Sequence, residues 1–75
     1  MDMRRLVGLN LARIRKEKGL TQDQFSEVSG FAQQYISALE MGRRNPTVVT
    51  LYHLALPLGV KPADFLDETK IESDS

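Results

Sequence analysis

Gln22-Asp23-Gln24-Phe25-Ser26-Glu27-Val28-Ser29-Gly30-Phe31-Ala32-Gln33-Gln34-Tyr35-Ile36-Ser37-Ala38-Leu39-Glu40-Met41 is the stretch on which the reading of this chain turns. It splits into two short helical patterns around Gly30. Thr21, just before it, carries the hydroxyl that a helix start needs, and Gln24 falls three residues later, where it can close a capping box. Asp23 suits the positive end of that helix. Phe25 and Val28 are expected to face inward, with Ser26 and Ser29 small beside them. Gly30 ends the helix, as glycine does where the backbone turns to positive φ. Ala32 to Met41 then forms a second helix with Ile36 and Leu39 inward, and Gly42 stops it. Two helices joined this tightly must cross steeply, so the later one can project away from the domain.

Outward from this pair, the apolar spacing of Val7, Leu11 and Ile14 predicts a preceding helix over Val7 to Lys18, closed at Gly19. Leu9 lies off that stripe and reads as surface. Arg15 lies on its edge and needs a carboxylate partner, because an unpaired buried charge is costly. Arg13 and Lys16 point away from the stripe and read as solvated. Beyond Gly42, Arg43-Arg44-Asn45-Pro46 is a polar loop, and Thr47 caps a helix whose inward residues are Leu51, Leu54, Ala55 and Leu58. Pro57 falls in its last turn and is expected to bend or end it. His53 reads as a surface residue. Lys61 to Leu66 reads as a short fifth helix with Pro62 at its first position, and Asp67 to Ser75 as an acidic, flexible tail. The expectation is an all-α, five-helix bundle: one domain over 1–66, with 67–75 as the tail.

Ten Lys plus Arg balance ten Asp plus Glu, but not evenly along the chain. Residues 1–46 hold eight basic and five acidic side chains; residues 47–75 hold two and five. This asymmetry allows a polyanion-binding face opposite an acidic end. With no cysteine and one histidine there is no disulfide framework, thiol nucleophile or conventional metal site. No run approaches the ~20 apolar residues of a membrane span, and the start lacks a signal peptide's apolar block, so a cytoplasmic location is expected. The titratable groups are scattered, without a nucleophile beside a base or a phosphate-cradling loop, so enzyme function is not expected.

Arg15, Gly19-Leu20-Thr21-Gln22, Phe25, Gly30, Tyr35-Ile36, Leu39-Glu40, Gly42, Asn45-Pro46, Leu51, Leu54-Ala55 and Leu58-Gly59-Val60 together resemble the helix-turn-helix of the phage repressor and Cro family, the XRE type. The likeness runs from about Val7 to Leu66. It implies a compact bundle of the lambda-repressor-like type, with the helix-turn-helix over 22–41. It further implies that Gln33, Gln34, Ser37 and Ala38 reach base edges in the major groove, while Gln22, Tyr35, Arg43, Arg44 and Asn45 contact the DNA backbone. Glutamine suits such a role because its amide can pair with adenine N6 and N7. The resemblance makes Arg15 and Glu40 a structural ion pair. Five positions depart from the pattern: Ala32 lacks the usual hydroxyl cap, Ser26 and Ser29 replace small apolar residues, Pro57 interrupts a helix, and Lys61 replaces a hydroxyl cap.

These features predict a sequence-specific regulator of transcription that binds a (pseudo)palindromic operator on double-stranded DNA as a homodimer and acts on its own promoter. Val60, Pro62, Phe65 and Leu66 are the expected dimer interface, and RNA polymerase is a further expected partner. No cofactor, metal, membrane or small-molecule partner is expected. The size and the Arg43-Arg44-Asn45 loop are similar to controller proteins of restriction-modification systems. The alternative is an antitoxin-like or co-regulator module whose main partner is a protein, with Leu9, Ile71 and the acidic tail as its contact surface.

Overall fold

Asp2 starts the first helix a full turn before the apolar periodicity predicts, its carboxylate accepting a 3.0 Å hydrogen bond from the Arg4 amide. The computed structural model describes residues 2–71. Its elements are α1 (Met3–Glu17), α2 (Gln22–Ser29), α3 (Gln33–Glu40), α4 (Val48–Leu58) and a 3-10 turn at Pro62–Leu66. The early start of α1 is set by the Asp2 cap, and Leu6, immediately before Val7, is completely buried within the added turn. No helix of the described residues is long and apolar enough to cross a membrane.

The core joins all five elements. Val7, Leu11 and Ile14 of α1 meet Phe25, Ile36, Leu39, the inward face of α4 and Phe65. Val28 departs from its inward expectation, being 57% exposed. Phe25 enters the core, while Val28, one turn on, lies on the rim of a groove shared with Phe31, His53, Leu56 and Pro57. Local caps fall where their chemistry dictates. The Thr21 hydroxyl and Gln24 amide form a reciprocal capping box, and Thr47 accepts from the Thr50 amide at 3.1 Å. Pro57 lies one residue before the end of α4, which Gly59 closes at φ 69°. α4 carries no charged residue, and Val48, Val49, Tyr52 and Leu56 lie exposed on its outer face.

The fifth helix is the tighter 3-10 turn rather than an α-helix. Its start uses no hydroxyl and no side-chain acceptor for the first-turn amides; instead the Asp64 carboxylate reaches back to accept from the Lys61 amide at 2.9 Å. Phe65 is fully buried and completes the monomer's own core. It therefore cannot form part of a dimer surface, unlike Leu66, which is exposed.

Asn10 is also completely buried. Its side-chain amide donates to the Phe65 and Asp67 carbonyls, each at 2.9 Å, while its oxygen accepts from Arg13 at 3.0 Å. Arg13, expected to be solvated, thus lies against α1, where it also pairs with Glu17 at 3.1 Å. Asp67, placed in the tail by the sequence reading, is instead tied to the domain. The hydroxyl and amide of Thr69 donate to its carboxylate, which holds its pKa below the ordinary carboxylate value. Residues 72–75 of the expected tail lie outside the described residues.

Candidate nucleic-acid interface

The arginine that needed a partner finds one on α3. Arg15 Nε donates to Glu40 Oε2 at 2.6 Å and Nη2 to Oε1 at 3.0 Å, a two-pronged guanidinium–carboxylate pair. Both side chains are 8% exposed, so water screens the pair little. The third arm of Arg15 reaches the Leu20 carbonyl at 2.8 Å, tying the loop before α2 to the same point.

The pair continues towards the outer end of α3. Gln22 Nε2 donates to Glu40 Oε1 at 2.9 Å, and Gln33 Nε2 donates to Gln22 Oε1 at 2.8 Å. Arginine can only donate and a carboxylate only accept, so the direction of every bond in this row is decided at Arg15. Gln22 must turn its nitrogen to Glu40 and its oxygen to Gln33, and Gln33 must answer with nitrogen. The Gln33 oxygen and its second amide hydrogen have no partner among the described residues at the start of α3. The Gln22 side chain thus joins Glu40 to Gln33 within the protein and keeps one amide hydrogen outside these two bonds. Its backbone N–H stays among the first-turn amides that a helix leaves without an internal partner.

The rest of the outer face divides by exposure. Gln34 is exposed, and Ser37 and Ala38 are half-buried one turn on. Tyr35 stacks on Phe31 with ring centres 5.6 Å apart. The Arg44 guanidinium covers the Tyr35 ring at 5.2 Å, within the range of a cation–π contact. Ala32, Gln34, Tyr35, Ala38 and Arg44 line one shallow depression on this face. Arg43, Arg44 and Asn45 are all exposed. Their loop leaves α3 in a fixed direction: Gly42, at φ 75°, bonds to the Leu39 carbonyl at 3.0 Å, and the Arg43 amide to the Ala38 carbonyl at 2.9 Å. This pair of bonds is a Schellman closure.

The position of α3 on the domain depends on Gly8, which the sequence reading passed over. A methyl group there would collide with the Leu39 and Glu40 carbonyls. Only glycine lets α1 pass this close to the end of α3. Asn10 was missed as well, although its signal was present: a polar residue three after Val7 and four before Ile14 lies on the buried stripe and needs partners.

A model of a helix-turn-helix family, HTH_3, matches residues 11–65. The chain is 61% identical over 69 residues to an uncharacterized HTH-type transcriptional regulator, y4dJ, of Sinorhizobium fredii, covering 92% of this chain and 90% of that protein. It is 30% identical over 74 residues to the control protein C.SmaI of Serratia marcescens, covering 99% and 88% respectively. Among solved structures, the restriction-modification controller protein C.AhdI of Aeromonas hydrophila superposes with a TM-score of 0.78 at 31% identity, over 83% of this chain and 94% of that one.

Proposed function

The chain belongs to the HTH_3 helix-turn-helix family, and from that premise we propose that it regulates transcription by placing α3 in the major groove of an operator. One observation carries this reading: the Arg15–Glu40–Gln22–Gln33 row holds a glutamine at the outer start of α3 with one acceptor and one donor free. That is the pattern which adenine complements through N6–H and N7. Gln34, Ser37 and Ala38 supply the other base-edge contacts. Arg43, Arg44 and Asn45, with the α2 amides around Gln22, grip phosphates and set the register without reading sequence. Tyr35 supports Arg44 from beneath and touches the sugar-phosphate backbone at its edge.

One such face contacts few base pairs, so tight binding needs two of them on half-sites about one helical turn apart, roughly 34 Å. The protein acts as a homodimer on a (pseudo)palindrome. With Phe65 inside the core, the dimer surface comprises Val60, Pro62 and Leu66 around the 3-10 turn. The operator lies upstream of the protein's own reading frame, as the likeness to controller proteins supports.

Fluorescence anisotropy tests this with the protein's own upstream DNA and a scrambled duplex at near-physiological salt. A preference of ~10³-fold or more for the native fragment, lost in Gln33→Ala, is the expected result. Equal, weak binding to both duplexes would overturn autoregulation.

A further inference from the structure

Arg5 lies outside every contact assigned so far, yet α1 carries it to the edge of the loop that follows α3. A methyl group added to Gly42 would lie 3.3 Å from the Arg5 Cα and 3.6 Å from its Cβ. One turn further along α1, Gly8 rests on the Leu39 and Glu40 carbonyls. Two backbone contacts of this closeness leave little freedom in where the Arg5 side chain begins. It departs beside Gly42, whose next neighbours are Arg43 and Arg44.

Among the described residues Arg5 has no ion pair. Arg4 has Asp2 at 3.7 Å, Arg13 has Glu17 at 3.1 Å and Arg15 has Glu40 at 2.6 Å. Arg5 is exposed, and no carboxylate of the described residues comes within 4.0 Å of its guanidinium. It therefore joins Arg43 and Arg44, which also lack acidic partners among the described residues, in one basic edge. An anion laid along such an edge would be attracted by each of its charges. A guanidinium fork fits the paired oxygens of a phosphate.

We propose that Arg5 is an additional DNA-backbone contact, a phosphate clamp at the start of α1 that extends the Arg43–Arg44 row beyond the footprint of the helix-turn-helix. The assignment rests on the DNA-binding reading above. The clamp reads no base. It adds affinity equally on every sequence and raises the salt sensitivity of binding.

The test measures anisotropy of the full chain on the upstream duplex and on a scrambled duplex from low to moderate salt. The proteins compared are wild type, Arg5→Gln, Arg5→Lys, Arg4→Gln and Arg43→Gln, with thermal melts of each. Arg5→Gln is expected to lower the slope of log K against log salt by about 0.9 and to weaken both complexes about fivefold near 0.15 M salt. Its melting temperature should match wild type, Arg5→Lys should restore the slope, and Arg4→Gln should leave it unchanged. An unchanged slope in Arg5→Gln beside a lowered one in Arg43→Gln would overturn the clamp and leave DNA binding standing. Absence of salt-dependent binding by the wild-type protein would overturn both.

Discussion

Glu40 receives three hydrogen bonds, two from Arg15 and one from Gln22, so one carboxylate joins α1, α2 and α3. Replacing it with glutamine keeps the shape and removes the charge. The buried guanidinium would then face a neutral group, and an amide N–H2 would point at a donor. Glu40→Gln is expected to cost about 3–5 kcal/mol, the usual loss when one partner of a buried pair is removed, seen as a lower urea midpoint. The same substitution frees Gln22 to rotate and so unsettles Gln33. Affinity for DNA should fall under conditions where the variant is still folded, which a binding titration well below its melting temperature would show. The need of Arg15 for a carboxylate was legible from its place on the edge of the apolar stripe. The onward row to Gln33 was not, because nothing in local spacing says which way a surface glutamine turns.

At the scale of elements, α3 begins without a side-chain cap. Ala32 already holds the extended backbone of a capping residue, with φ −62° and ψ 142°. Ala32→Ser should therefore stabilise the protein by about 0.5–2 kcal/mol, read as a rise in melting temperature. Gly8→Ala should act in the opposite direction. Its methyl group meets backbone carbonyls, which cannot rotate aside, so one helix must shift. A loss of about 1–3 kcal/mol is expected, with weakened operator binding because α3 is the element displaced; denaturation and anisotropy on one preparation check both. Elements whose signals lie within a few residues were readable: the Thr21–Gln24 box, the Thr47 cap, and the glycine stops at Gly30 and Gly42. The start of α1, the exposure of Val28 and the 3-10 form of the last turn depend on packing against residues far along the chain. Local periodicity carries no record of that.

Over the whole molecule, the acids are split evenly, five in residues 1–46 and five in 47–75, while eight of the ten Lys and Arg lie in residues 1–46. A basic excess of this kind would favour encounters with a polyanion and make association fall with added salt. The two ends of the chain are joined by Asn10, which bonds to Phe65 across 55 residues and to Asp67 across 57. Asn10→Ala would leave two carbonyls without their donor, one of them at the buried Phe65. The expected cost is about 1–3 kcal/mol, with faster amide hydrogen exchange in the 3-10 turn than in α2 or α3. The junction also sets an order of events during synthesis. The helix-turn-helix emerges first, but the core it shares with α1 and α4 is incomplete until Phe65 arrives and Asn10 finds its carbonyls. Closing so long a loop is slow relative to forming local helices. A nascent chain stopped before Phe65 would hold every residue of α2 and α3 and still lack the side chain that completes their core, so the proposed recognition would become available only when the last turn locks.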